Sequence, residues 1–432
     1  MILLLVALAF AEAPTSLSLA DTLRLVVERN PQRTSASLAE SIAEIQARRA
    51  RLDRVSATLS ATGDGAIGFQ KPWGEDLYGV ASSTWDARAN VSVPLYAGGS
   101  IRASIDSADA GARIASTDRT ITERELVRAA YTAYWTIKGY ELQIAATEEG
   151  LKLTEESLAI IKAKANAGLS AGIDVNRSTV DLYSQQDALL SQKSALYQSE
   201  QELLRLLHLP GDDVILTDSA PEPAAGTVSL PGDAGANRPE LARKGDEAAQ
   251  AEAAVRAARS TILPSVGVYG TAGVGGASSG ATDPDALIPF TSDDLRPALD
   301  ASVGVQLSWN LFDLFKTRDA VAQAKLAAEQ VDASTLAEKD AIAAEIRQAA
   351  ATVTELRERV PLSDSQVALA RDNLQIVQGL YAQGSATILD LFDAQSAFRT
   401  ARTQGASLRV QLATAECDLR WLLGEDPLGA SR

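Results

Sequence analysis

The chain is poor in the side chains on which enzyme chemistry most often depends. Its 432 residues include one histidine, His208, and one cysteine, Cys417. A Cys/His zinc site, an internal disulfide, a Cys–His nucleophile pair and a Ser–His–Asp triad therefore lack material or rest wholly on His208. His208 stands among Leu206, Leu207 and Leu209 where a helix is expected to end, and reads as a helix-terminal residue. No catalytic, metal-binding or cofactor-binding residue stands out, so the chain is read as a non-enzyme without a cofactor. Positive charge is also scarce. Forty Lys and Arg face 56 Asp and Glu, a formal charge of −16, which argues against a nucleic-acid partner. Aromatics make up only 5%. No stretch reaches the roughly 18 consecutive apolar residues that a membrane-spanning helix needs.

The longest apolar run, residues 2–11, is too short to cross a bilayer and leads into Ala11-Glu12-Ala13. Residues 1–13 read as a secretory signal peptide with its small-residue cleavage site, although no basic residues precede the run. An exported chain without a spanning helix is extracellular, periplasmic or an outer-membrane barrel. Cys417 is too far along the chain to be a lipid-bearing residue behind the signal.

Repetition, by contrast, is abundant. Residues 167–175, from Ala167 to Val175, align with 383–391, from Gln383 to Leu391. The same offset pairs Leu182 with Phe398, Leu196 with Leu412, Leu206 with Leu422, and Arg102 with Arg318. Upstream, at a slightly different offset, Asn30-Pro31 meets Arg238-Pro239, and Arg48 and Arg51 meet Arg256 and Arg259. The expected organisation is a first repeat over 14–209, a linker over 210–236 and a second repeat over 237–424. A short tail, 425–432, follows. The linker has four Pro and four Gly. Each repeat reads as short helix, strand, long loop, strand, very long helix, tight turn, long helix.

The strands have period-two patterning. Trp85, Ala87, Ala89, Val91, Val93 and Leu95 alternate with Asp86, Arg88, Asn90, Ser92 and Pro94. Leu299, Ala301, Val303, Val305, Leu307 and Trp309 alternate with Asp300, Ser302, Gly304, Gln306 and Ser308. Weaker alternation marks 56–69 and 264–275. The four expected strands are 56–69, 84–96, 264–275 and 299–309, joined by loops 70–84 and 276–298. Eleven residues suffice for a tilted strand to cross a hydrocarbon core, and Phe69, Trp85, Tyr96 and Trp309 near the ends suit an interfacial girdle. A half-buried sheet of a soluble domain would alternate in the same way. If the strands do lie in lipid, however, four are too few to close a barrel, whose smallest single-chain forms have about eight. An open edge is forbidden there. Several chains would then have to share one barrel.

The helices are long. Residues 98–165 contain no proline and would make roughly 100 Å of continuous helix. Residues 313–380 match them, with Pro361 expected to kink or break the helix. Return helices are expected over 174–208 and 387–424, completing hairpins 98–208 and 313–424, with a further helix over 238–262. The last helix has heptad columns: Leu391, Phe398, Gly405, Leu412, Leu419, and Ala394, Ala401, Leu408, Ala415, Leu422. Its counterpart has Val175, Leu182, Leu189, Leu196 and Leu203, flanked by Tyr183, Leu190, Tyr197 and Leu204. Narrow seams with polar faces suit a wall one helix thick. They also suit an exported coiled-coil scaffold or interaction protein without channel activity.

The hairpins turn at Gly168 and Gly384, where glycine permits the left-handed backbone that ends a helix. Asp174, Thr387 and Asp390 fall near the following helix starts, where such residues are favoured for structural reasons alone. Asp390 and Asp393 share a helix face. In a symmetric oligomer they would stack as two carboxylate rings, which restrain cations and narrow a pore.

Taken in order, Leu19-Ala20-Asp21-Thr22-Leu23 with Asn30-Pro31, Pro94-Leu95-Tyr96-Ala97-Gly98-Gly99 and the paired Gly…Asp turns give a chain that resembles the TolC-like outer-membrane efflux proteins over nearly its whole mature length. The resemblance implies a mainly α, internally duplicated fold with a small membrane β-part. It implies a homotrimer in the bacterial outer membrane, pooling four strands per chain in a twelve-stranded barrel. Long helical hairpins would extend that barrel through the periplasm as an α-barrel. It implies a passive exit duct for tripartite efflux or type I secretion, fed by a periplasmic adaptor and an inner-membrane efflux pump or ABC secretion transporter, and surrounded by outer-membrane lipid. By the same resemblance, the adaptor docks on the hairpin tips, Ala167, Gly168 and Leu169 with Gln383, Gly384 and Ser385. Asp390 and Asp393 match the pore constriction, and Asp174 a tip latch whose usual arginine partner is replaced by Ala386.

Overall fold

The computed structural model describes residues 15–70, 78–168, 171–211, 214–218, 230, 235–282, 297–309 and 314–424. The expected signal peptide, loop residues 71–77 and 283–296, most of the expected linker, Leu169 and the tail 425–432 lie outside the described residues.

The elements run β1 (Thr15–Leu17), α1 (Leu19–Arg29), α2 (Pro31–Leu52), β2 (Ser56–Gln70), β3 (Tyr78–Ala97), α3 (Ser100–Asn166), α4 (Gly172–Leu207), β4 (Val214–Leu216), α5 (Pro239–Ser260), β5 (Ser265–Thr282), β6 (Ala298–Ser308), α6 (Leu314–Gln383) and α7 (Ile388–Leu423). The chain divides into two compact units. One comprises Met1–Leu38, Ser116–Arg243 and Leu336–Arg432, the other Ala39–Ala115 and Lys244–Thr335. The division does not follow the two sequence repeats, because each repeat contributes to both units.

The second unit holds an antiparallel sheet in the order β2-β3-β5-β6. Its register sets Leu59 opposite Ala89, Ala89 opposite Ala272, and Ala272 opposite Ala301. Directly opposed residues point to one face. Ala61, Ala87, Val274 and Leu299 likewise share that face, as do Val93, Val268 and Val305. One apolar surface thus crosses all four strands. The other face is polar: Thr62 donates to Asp86, which pairs with Arg88 at 2.9 Å, and Thr271 and Ser302 hydroxyls meet at 2.7 Å. Leu59, Leu299 and Val303 on the apolar face are each more than 80% exposed, so none of the described residues covers it there.

The strands outrun the sequence expectation. The strand expected at 84–96 begins at Tyr78, and the one expected at 264–275 continues to Thr282. These extensions are rich in Gly, Ser and Ala, with little alternating apolar signal, and hold together by pairing, from Gly79 opposite Thr282 to Trp85 opposite Gly276. The Pro94–Ala97 motif has a local reason: register shifts between Pro94 and Tyr96, and Gly98 follows at φ 60°. A Cβ on Gly98 would stand 2.5 Å from the Ser260 carbonyl, so α5 and this turn meet only around glycine.

In the first unit, Ser18 caps α1, and Asn30 separates α1 from α2. The Asn30 amide donates to the Leu206 carbonyl at 2.9 Å and its oxygen accepts from the Gln32 amide at 2.8 Å. Pro31, which lacks a donor, opens α2. Leu23, Val26, Val127, Tyr134, Leu203 and Leu207 form a core that also takes in β1 and β4. The segment read as a linker therefore contains a strand. Val214, Ile215 and Leu216 pair in parallel with β1, with Val214 and Leu216 buried. Asp218 accepts from the Tyr134 hydroxyl at 2.7 Å and the Leu19 amide at 2.6 Å.

Pro361 does not end α6, which continues unbroken from Leu314 to Gln383. The missing N–H costs one helical bond. Val353, Leu356 and Val360 on the same helix pack against Leu408, Leu412 and Leu419 of α7, and this burial offsets the loss. The α7 heptad column Leu391, Phe398, Gly405, Leu412, Leu419 is buried throughout. His208 is the C-cap of α4, in the left-handed conformation at φ 52°.

Candidate functional site

The two hairpin turns are built differently. At the first, α3 closes with the Gly168 amide donating to the Ala165 carbonyl at 3.0 Å, and Gly168 stands at φ 72°. Helix α4 then begins behind Ala171, which offers no side-chain cap. Asp174 lies in its first turn, half-buried, where a carboxylate complements the helix dipole. At the second, the Gly384 amide donates to the Tyr381 carbonyl at 3.0 Å and the Ser385 amide to the Leu380 carbonyl at 2.8 Å. With Gly384 at φ 82°, this is the Schellman termination. Ala167, Gly168, Gln383, Gly384 and Ser385 are all exposed.

The second turn feeds a capping box. The Asp390 amide donates to the Thr387 hydroxyl oxygen at 3.2 Å. The Asp390 carboxylate accepts from the Thr387 amide at 2.8 Å and from its hydroxyl at 2.6 Å. The Thr387 hydroxyl, then its backbone N–H, hold the Asp390 carboxyl below the usual carboxylate range. Asp393, one turn on, is exposed and makes no side-chain hydrogen bond or ion pair among the described residues. The two aspartates share a face, as their spacing requires, but not a condition: one is engaged in starting α7, the other is free.

Beneath the turns lies one apolar cluster, in which Ile161 of α3, Leu374 and Tyr381 of α6, and Leu391 and Phe398 of α7 are buried and Val175 of α4 packs alongside. Polar ties cross it. Lys164 donates to the Tyr381 carbonyl, with its ammonium 4.3 Å from the centroid of the Tyr381 ring. Farther from the turns, Glu149 accepts from Arg371 at 2.5 Å and Arg402 at 3.0 Å, and Asp181 from Arg399 at 3.2 Å. Gln185 donates to Thr154 at 2.9 Å and Gln395 to Ser157 at 2.9 Å, all four side chains being buried. The sequence reading missed Lys164, Glu149, Arg371 and Arg402. Their partners lie more than 200 residues away, so no local spacing marks them.

Apolar stripes stay uncovered on some helices. On α4, Tyr183, Leu190 and Tyr197 are at least half exposed, and so on α6 are Leu362, Leu369 and Ile376. Both stripes have heptad spacing. Cys417 is buried inside the bundle, and that burial, then Asp418, pushes its thiol up to about 12. No helix among the described residues is long and apolar enough to cross a membrane, and no group of His, Cys, Asp and Glu among them could hold a metal ion.

The family model for outer membrane efflux proteins matches residues 30–208 and 230–425. The pyoverdine export outer membrane protein OpmQ of Pseudomonas putida is 24% identical over 359 residues, covering 79% of this chain and 71% of that protein. Among solved structures, the outer-membrane channel OprN superposes with a TM-score of 0.79 at 22% identity, over 94% of this chain and 90% of that one. The outer membrane protein VceC of Vibrio cholerae superposes with a TM-score of 0.73 at 16% identity, over 94% and 96%. At these identities the structural matches speak for the fold, duplicated helical hairpins with a small sheet.

Proposed function

Since the chain belongs to the outer membrane efflux protein family, we propose that three copies close their sheets into one barrel and act as a passive exit duct. Its place is the outer membrane. One observation carries the reading: a four-stranded sheet with one continuous, uncovered apolar face and two open edges, β2 and β6. In lipid every backbone group needs a partner, so the free edge of β2 must meet β6 of another copy. A barrel needs about eight strands or more, which sets a minimum of two copies, and the family resemblance makes it three. The α4 and α6 stripes support the same reading, since each offers a neighbouring copy a heptad seam. The polar sheet face would then line a water-filled lumen, continued between the helices. Cargo would pass without a chemical step, driven by an inner-membrane efflux pump or ABC secretion transporter. A periplasmic adaptor would dock on the hairpin turns at 167–169 and 383–385.

Within this reading Asp393 forms the free carboxylate ring at the tip, and Asp390 a second ring that also holds the start of α7. Asp174 contributes to closing the tip without an arginine at position 386. Planar-bilayer recording of the purified protein is the test. Discrete, cation-preferring conductance steps that multivalent cations block are expected. Membranes that stay silent with protein demonstrably inserted would overturn the duct.

A further inference from the structure

Arginines pair across the sequence repeats, Arg48 and Arg51 with Arg256 and Arg259, and Arg102 with Arg318. The sheet register explains where they gather. Ser56, at the start of β2, stands opposite Ser92, Ala97 at the end of β3 opposite Ser265, and Ser265 opposite Ser308 at the end of β6. All four helix–strand junctions therefore lie at one end of the sheet. The described residues of those junctions, 46–55, 97–106, 253–264 and 314–320, carry nine Lys and Arg against three Asp and Glu, in a chain of net charge −16. The segments joining the strands at the other end, 71–77 and 283–296, carry two against six.

Two of these arginines are tied down: Arg51 to Asp109 at 2.8 Å and Arg256 to Asp106 at 2.9 Å. Arg48, Arg49, Arg54, Arg102 and Arg259 are exposed and have no carboxylate partner among the described residues. Exposed apolar side chains lie in or beside the same junctions along the chain: Leu52, Val55, Leu95, Tyr96 and Trp309. The Trp309 indole N–H donates to the Ile262 carbonyl at 3.1 Å, fixing the ring at the junction. Aromatic rings and free cations at one end of the sheet, where an apolar protein surface ends, fit the headgroup layer of a membrane. Arginine stems lie along apolar surface while the guanidinium forks grip phosphate oxygens.

We infer that this end of the sheet is a binding belt for the phosphates of anionic phospholipids in the leaflet on the helix side. The occupant is lipid rather than a soluble polyanion because these cations gather in the helix–strand junctions, at the end of the sheet that carries the apolar face. The inference rests on the membrane-embedded sheet proposed above and adds a lipid preference to it.

The intact protein, stripped of lipid in a nonionic detergent, would be equilibrated with equal amounts of dioleoylphosphatidylglycerol and dioleoylphosphatidylcholine, and the co-eluting lipids counted by mass spectrometry. At least threefold enrichment of phosphatidylglycerol is expected, falling towards parity at molar salt, since exposed ionic contacts are screened. The R48Q/R49Q/R54Q/R259Q variant should lose the enrichment, and the corresponding four-lysine variant should keep at least half of it. Inorganic phosphate at 10 mM should leave it intact. Parity in the wild type, enrichment that survives in the glutamine variant, loss of enrichment in the lysine variant, or displacement by phosphate would each overturn the belt. If the glutamine variant does not fold, the wild-type and lysine comparisons still decide. Retention of neither lipid would instead count against the membrane-embedded sheet.

Discussion

Lys164, at the end of α3, donates to the backbone carbonyl of Tyr381 near the end of α6 and lies over the tyrosine ring, 4.3 Å from its centroid. The contact joins the two hairpins close to their turns, one from each sequence repeat. It combines a charge-assisted hydrogen bond with a cation–π contact, together worth about 1–2 kcal/mol in a half-buried setting. Lys164→Ala should therefore speed hydrogen exchange at the ends of α3 and α6 by about 5- to 30-fold. Exchange around Tyr134 and Leu203 should be unchanged. Equal acceleration everywhere would mean that Lys164 supports the bundle as a whole rather than its tip.

Asp390 and Asp393 should separate under mutation. Asp393→Ala leaves every hydrogen bond of the capping box in place, so helix content should hold. Block by multivalent cations should weaken by about two- to fivefold, the worth of one exposed ionic contact per copy. Thr387→Ala removes the cap itself and should destabilise the start of α7 by about 1 kcal/mol. The capped carboxyl of Asp390 is held below its ordinary value, so its contribution is present above the unfolded carboxylate pKa and lost as pH falls through the folded one. Hydrogen exchange at residues 388–391 should therefore rise only under acid conditions, below the usual carboxylate range. Unchanged block in Asp393→Ala would remove that residue from the constriction.

Leu190 and Leu369 are 68% and 71% exposed in the single chain. If the chain acted alone, Leu190→Glu and Leu369→Glu would each change stability by no more than about 0.5 kcal/mol. If the stripes form seams between copies, each substitution buries a charge in an apolar contact, and the assembled form should be lost from mild detergent while the single chain stays helical. Native gels and circular dichroism distinguish the two outcomes.

Cys417 should be inert. Its thiol is buried and raised to about 12, so almost no thiolate exists at neutral pH. A maleimide reagent should leave the folded protein unlabelled for hours at pH 7 and modify one thiol per chain in denaturant. Rapid labelling without denaturant would show that α7 opens locally around residue 417.

Much of the architecture was legible because it rests on periodicity. The α7 column from Leu391 to Leu419 is buried at every position, and the alternation from Leu299 to Leu307 marks one face of β6. Periodicity also has limits. Leu203 and Leu204 are both buried, but their neighbouring columns diverge: Leu189 is half-covered while Leu190 is exposed, because one seam is filled within the chain and the other is not. The strand extensions at 78–83 and 276–282 escaped notice because runs of small residues without apolar alternation look like loop. The helix survives Pro361 because tertiary burial outweighs one lost bond. The strand at 214–216 was hidden by the Pro and Gly around it. Of the candidate site, spacing showed that Asp390 and Asp393 share a face, but only the capping geometry separates their roles. Lys164 with Tyr381, and Glu149 with its two arginines, depend on contacts between distant repeats that no local motif encodes.

In the proposed duct, lone sheets of four strands are completed by other copies in lipid. Light scattering on purified protein, corrected for bound detergent, measures this most directly. The result expected is one species of three chains, with no stable single chain once detergent is withdrawn. A monodisperse single subunit that stays dissolved without detergent would contradict it.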